Sequence, residues 1–438
     1  MDMLNYPSDE AEQRIDAITR RGLSFNPEDT RSVAEILEAV RDRGDAALID
    51  YTRHFDAPEM MATDMPVTAA AFDEAEALVD GAFLNALDRA VEQIRDFHQR
   101  QLKNSWFQAA RPGVFLGQMS NPVQAAGVYV PGAKGGMTPL VSSVLMGAIP
   151  ARIAGVESVV MVTPPRKGGS VDPHLLVAAR RVGVDAVFKV GSAWAIGGLA
   201  FGTQTLPRVD VIVGPGNIYV TIAKKLVAGT VGIDMIAGPS EILVIADDSA
   251  DPEFIAADLL SQAEHDPLAS ALLITDSPQI AEEAGRAVSQ QLAGLSRRDI
   301  AEKALDAFGG IMVVRDMGTA ISLANRIAPE HLELLVAAPF EYLSLIRNAG
   351  AVFMGHFTPE PMGDYVAGPN HVLPTGGTAR FSSALSVDTF MKQTSLICYS
   401  EAAMEREADD VIRLADIEGL GAHAESVRVR RKKNGVRV

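Results

Sequence analysis

Hydrophobic and polar positions follow two different rhythms along this chain. In Ala11 to Arg20, Ser32 to Tyr51 and Ala70 to Leu102 the apolar residues recur every three or four positions, the period of a helix with one buried face. Pro27 breaks the first stretch, Gly44 divides the second, and the third is long enough for two helices. From Gln124 the pattern becomes short apolar runs separated by amphipathic stretches. It predicts strands at 125–130, 158–162, 186–190 and 209–213, with helices at 138–154, 174–182, 194–201 and 218–227. A second series starts at Ile242, with predicted strands at 242–246, 271–275, 311–314, 332–336 and 351–354. Its predicted helices begin at Pro252 and then span 278–295, 319–327 and 340–346. Strands that alternate with helices make parallel sheets covered on both faces. After Leu385 the pattern is helical again, at 402–414 and near Ala422.

Composition narrows this picture. A chain of 438 residues with 47% apolar and 22% charged residues is an ordinary globular protein of two or three domains. Its 39 basic and 56 acidic residues give a net charge of −17, which argues against a nucleic-acid partner. The basic run Arg428 to Arg437 reads as a solvated terminus. The single cysteine, Cys398, excludes an intrachain disulfide and a cysteine-rich metal site. Its apolar neighbours Leu396 and Ile397 predict a buried, inert thiol. Met1 to Glu10 is acidic and lacks the apolar core of a signal peptide. No apolar run reaches membrane-spanning length, so no membrane partner and a cytoplasmic location are expected.

Candidate chemistry sits in a few stretches. Asp258-Leu-Leu-Ser-Gln-Ala-Glu-His-Asp-Pro267 places Gln262 and His265 three residues apart, on one face of a predicted helix end. A carboxamide oxygen and an imidazole are half of a zinc site, although a polar helix end in water also accounts for them. In Ala328-Pro-Glu-His-Leu-Glu-Leu334, Glu330 and His331 precede an apolar strand. Neighbours on a strand point oppositely, so a shared role needs an irregular turn, which Pro329 can supply. A histidine suits proton abstraction from an alcohol, and a carboxylate can activate water. The Gly- and Pro-rich stretch 355–380 is too long for a simple connector, and Asp364 and His371 are its candidate ligands. His356, His174 and His98 read as bystander, structural and surface residues. Gly214-Pro-Gly-Asn217 follows one predicted strand and Gly191-Ser-Ala-Trp194 another, where α/β sheets hold ligands.

Together these motifs carry a resemblance. Ser261-Gln-Ala-Glu-His265, Ala237-Gly-Pro-Ser-Glu241, Gly214-Pro-Gly-Asn217, Pro329-Glu-His-Leu-Glu333, and Gly363-Asp-Tyr followed by Gly368-Pro-Asn-His-Val-Leu-Pro-Thr375 resemble the histidinol dehydrogenase family over nearly the whole chain. The resemblance implies an α/β fold, with two Rossmann-like parallel-sheet domains and small helical N- and C-terminal extensions. The expected divisions are an arm at 1–30, a zinc and catalytic domain from 31–124 and 241–384, an NAD-side domain at 125–240, and a tail at 385–438 that reaches a partner subunit. It implies two NAD-dependent oxidations of L-histidinol to L-histidine through a bound aldehyde. One zinc per subunit is implied at Gln262, His265, Asp364 and His423, the last in Glu418-Gly-Leu-Gly-Ala-His423. Glu330 and His331 become the proton-transfer pair. Ser240, His371 and Glu418 become substrate contacts, joined there by the zinc-binding residues and His331. Tyr129, Trp194 and Asn217 become cofactor contacts. A homodimer with shared active sites is implied.

Two departures fall on the cofactor side. Trp194 stands where many members have glutamine, and the loop Gly132 to Met137 is longer than the usual form. Trp194 either stacks on a ring or fills core space. Two other readings compete: a paralogue that oxidises another primary alcohol, such as a sulfonated propanediol, and a non-catalytic α/β protein that binds a nucleotide or a metal.

Overall fold

The computed structural model describes residues 1–21, 25–132 and 138–434. They form two compact units, one from residues 1–101 and 123–390, the other from 102–122 and 391–438.

The first unit holds two parallel sheets. One is six-stranded, in the order Met3–Asn5, Gly309–Val313, Ser270–Thr275, Glu241–Ala246, His331–Leu335, Ala351–Met354. Its central strands are buried at every position, which is why they read as unbroken apolar runs. Ile255, Leu259, Ala284 and Leu305 pack on one face. Ile15, Ile18, Ile321 and Ala324 pack on the other. The helices begin where short polar side chains accept main-chain N–H groups: Asp251, Ser277 and Asp316 each cap one. The other sheet is five-stranded and parallel, in the order Ala186–Phe188, Ser158–Val162, Ala125–Tyr129, Val211–Val213, Gly232–Ile233.

The packing departs from the expected division at residues 31–101. Val33, Leu37, Val40 and Leu48 join one core cluster with Val160, Ile196, Leu199 and Ile212. The helices Ala69–Leu78 and Gly81–Gln99 pack on Pro173–Val182 and Val141–Ala154. The four helices between residues 27 and 99 therefore pack on the side of the five-stranded sheet, while Asp9–Arg20 packs on the six-stranded one. An amphipathic stripe says that a helix face is buried but not against which sheet. His98, expected at the surface, is fully buried. It continues the buried face of Leu87, Val91 and Ile94, and its Nδ1 lies 2.7 Å from Gln101 Oε1. The segment expected as an N-terminal arm contributes an edge strand, Met3–Asn5, to the larger sheet.

The second unit is built on an antiparallel sheet that the sequence pattern did not reveal. Val114–Pro122 pairs with Trp106–Arg111 on one side and Met391–Tyr399 on the other. Two helices follow, Glu401–Ile417 and Gly421–Asn434. The segment after Leu385 thus contains a long strand ahead of its helices. Cys398 lies on that strand and is exposed, against the expectation of burial, because the strand leaves most of its residues uncovered. The expected helix at 340–346 is two short 3-10 turns, Pro339–Glu341 and Leu343–Leu345. Among the described residues no helix is long and apolar enough to cross a membrane.

Candidate active site

The first constellation gathers at the amino ends of two adjacent strands of the six-stranded sheet. Glu241 opens one strand, His331 opens the next, and Ile242 is in register with His331. The irregular turn expected before His331 is present. Ala328 adopts a left-handed conformation with φ of 55° and closes the helix Met317–Ile327. This turn lets consecutive side chains share one site: Glu330 Oε2 and His331 Nδ1 are 3.7 Å apart, and both residues are buried.

Glu241 holds both groups through main-chain and side-chain bonds. Its N–H donates to Glu330 Oε2 at 2.9 Å, and its Oε2 accepts the Glu330 N–H at 3.2 Å. Its carbonyl oxygen lies 2.9 Å from His331 Nδ1. A carbonyl can only accept, so Nδ1 carries the proton and Nε2 presents the lone pair. Arg21 donates to Glu241 Oε1 at 3.2 Å and to the Ser240 carbonyl at 3.0 Å. Burial pushes the His331 pKa down to about 4, against the opposing pull of Asp364. His265 and His371 push it the same way as burial does. The imidazole is therefore a neutral base at physiological pH. Burial raises Glu330 well above the usual carboxylate range, and the nearby Glu241, Asp364 and Glu360 add to the rise.

Facing this pair is the helix Glu360–Tyr365, within the long Gly- and Pro-rich stretch. Glu360 Oε1 lies 3.8 Å from His331 Nε2, and Asp364 Oδ1 lies 3.8 Å from His371 Nδ1. Ligand atoms of His331, Glu360 and Asp364 all fall within 4.8 Å of one another, a spacing that can hold a metal ion. Behind them, Glu333 accepts the Glu360 N–H at 2.9 Å, and burial with the neighbouring Asp258 raises it well above the usual carboxylate range. Burial, followed by Asp364, raises Glu360 to about 8. Crowded carboxyls in a low-dielectric site call for a cation. Gln262 Oε1, Glu333 Oε2 and His371 Nε2 are buried and have no hydrogen-bond partner among the described residues.

The other expected positions divide between the two units. Gln262 lies on the helix Pro252–Ala263, and His265 follows its C-terminal end. His265 Nδ1 is 2.8 Å from the Ser261 carbonyl, which leaves Nε2 as its lone-pair nitrogen. Glu418 and His423 belong to the second unit, where both are exposed. His356 stays apart from the constellation and contacts Ser249 at 3.2 Å. Sequence reasoning gave no role to Arg21, Glu241, Glu333, Glu360 or Asp258. A carboxylate inside an otherwise apolar strand was the available signal for Glu333.

A second site lies at the carboxyl ends of the five-stranded sheet. A cavity of about 770 Å³ is lined by Tyr129, Trp194, Asn217, Asp56, Phe55 and Ser192, among others, so the three expected cofactor positions share it. The turn that leads to Asn217 is tight. Gly214 has φ of 116°, and a Cβ there would sit 2.1 Å from the Tyr129 carbonyl oxygen. Asp234 accepts the Gly214 N–H at 2.8 Å and pairs with the buried Lys224. Asn217 caps the following helix by accepting from Val220 N–H at 3.1 Å. Tyr129 Oη accepts the Ser192 N–H at 3.1 Å. Trp194 is buried, stacks on Tyr51 and Phe55 and donates to Thr52, so it both fills core and walls the cavity. Of the longer loop, residues 133–137 lie outside the described residues.

Comparison with known proteins converges with this geometry. The family model described as histidinol dehydrogenase matches residues 19–431. A histidinol dehydrogenase of Desulfotalea psychrophila is 56% identical over 92% of each chain. One of Carboxydothermus hydrogenoformans is 54% identical over 96% of this chain and 97% of its own. The crystal structure of histidinol dehydrogenase from Elizabethkingia anophelis is 36% identical and superposes with a TM-score of 0.92 over 99% of both chains. With its motifs, fold and relatives in agreement, this chain belongs to the histidinol dehydrogenase family of oxidoreductases.

Proposed function

We propose that the chain oxidises L-histidinol to L-histidine with two NAD and one water, through a bound aldehyde, in a zinc-dependent homodimer. The observation that carries this reading is the Glu330–His331 pair, with its proton positions set by Glu241, facing an acidic, imidazole-bearing cluster. The buried, unpartnered Gln262 Oε1 and His371 Nε2 fit a site that receives a metal and a nitrogen-rich substrate. Gln262, His265 and Asp364 would hold zinc together with His423 of the partner subunit, while Ser240, His371 and the partner's Glu418 would contact substrate. Zinc would orient the substrate, and NAD would accept the two hydrides.

The residues divide the proton work. His331 Nε2 takes the alcohol proton as the C–H hydride leaves. Glu330, buried and raised above the usual carboxylate range, acts in its ionised form and takes a proton from water as the water oxygen bonds to the aldehyde carbon. His331 gives its proton to the former carbonyl oxygen as the hydrate forms, and, neutral again, takes a hydroxyl proton of the hydrate as the second hydride leaves. The overall change is histidinol, water and two NAD⁺ to histidine carboxylate, two NADH and three protons. Exposed apolar residues in the second unit support a dimer: Val411, Leu414 and Ile417 are 46%, 62% and 70% exposed along one helix, as befits a surface awaiting a protein partner.

The test is the stoichiometry of turnover by zinc-loaded protein. Two NADH per L-histidinol, with histidine as product and no free aldehyde, are expected. One NADH per substrate, or no turnover with zinc and NAD bound, would overturn the reading.

A further inference from the structure

We propose that Asp56 is the residue by which this cavity selects NAD over the 2′-phosphorylated dinucleotide. The assignment rests on the reading above, in which the Tyr129–Trp194–Asn217 cavity receives NAD.

Asp56 follows the last turn of the helix Asp45–Phe55 and lines the cavity beside Phe55 and Trp194. Its Oδ2 is buried and has no hydrogen-bond partner among the described residues. An orphaned buried acceptor costs stability, and proteins keep such groups where a ligand satisfies them. Burial raises this carboxyl to about 6, so at neutral pH it is mainly ionised and lacks a donor. The described lining residues include no Lys or Arg. A ribose diol offers two O–H donors and matches a carboxylate acceptor. A 2′-phosphate in the same place offers only acceptors, brings a second negative charge and finds no cation among the described lining residues. The aromatic surfaces of Phe55 and Trp194 provide the apolar wall against which a nucleoside packs.

Dinucleotide binding is read by quenching of Trp194 fluorescence in the full-length chain, with Trp106→Phe removing the other indole. Wild-type protein is expected to bind NAD about a hundredfold more tightly than NADP. In Asp56→Asn and Asp56→Ser, NAD affinity falls about tenfold, as for loss of a charged hydrogen bond, and NADP affinity rises. The selectivity ratio therefore drops by at least about tenfold. Circular dichroism confirms that the variants are folded; Ser, smaller and uncharged, serves should Asn disturb the turn. An unchanged ratio in both folded variants overturns the selectivity assignment and leaves the cofactor reading standing. No NAD binding by the wild-type protein at millimolar concentration overturns both.

Discussion

His331 Nδ1 lies 2.9 Å from the main-chain oxygen of Glu241, and this contact decides which face of the imidazole is the base. Because the acceptor is a backbone carbonyl, no side-chain substitution at 241 removes it directly. The tautomer is fixed by strand register, through the pairing of Glu241–Ala246 with His331–Leu335.

Replacing His331 with Ala is expected to lower kcat by about a thousandfold in both oxidations, the usual range for loss of a positioned base. Substrate affinity should change little by comparison. Separate steady-state assays with L-histidinol and with the aldehyde check this; a loss confined to one substrate would contradict a base that serves both steps.

Glu330→Gln keeps an acceptor for the Glu241 N–H but cannot take a proton from water. The first hydride transfer should survive, and the second should slow by about a hundredfold. Rapid mixing with excess NAD should show one fast NADH per site followed by a slow phase. Two equally fast hydride transfers would exclude the water-activating role.

Glu360 titrates near 8 in the folded metal-free protein, up from 4.5, because it is buried beside Asp364. A raised acid contributes stability that is complete below its unfolded pKa and is lost as pH rises through the folded value. Metal-free protein should therefore lose stability between pH 4.5 and about 8 from this group. Glu360→Gln should melt higher than wild type at pH 8, with the difference closing toward pH 4.5. A wild-type Tm that rises relative to the variant across that window would show the sign to be wrong.

Gly214→Ala should destabilise the first unit by about 3 kcal/mol, since its φ of 116° and the 2.1 Å approach to Tyr129 O leave a methyl group no room. Urea denaturation measures the loss. NAD affinity should fall with it, because Tyr129 and the Asn217 turn flank the same position.

The local chemistry was legible in the chain before any fold was known. The alternation of strands and helices gave both parallel sheets, because strands covered on both faces must read as apolar runs. The Glu330–His331 pair and the turn it requires were visible because proline and strand alternation constrain neighbouring side chains directly. Tertiary structure decided the rest. It placed the helices from 27 to 99 on the five-stranded sheet, since an apolar stripe does not name its partner. It buried His98 and exposed Cys398, since burial depends on what packs above a residue and not on its neighbours in sequence. It brought Arg21 and Glu241 to Glu330 and His331, and Glu333 to Glu360 and Asp258, across tens to hundreds of positions. Arg21 meets Glu241, and the three carboxyls of Glu333, Glu360 and Asp258 crowd together, only once the sheet has formed, so no local period in the sequence can announce them.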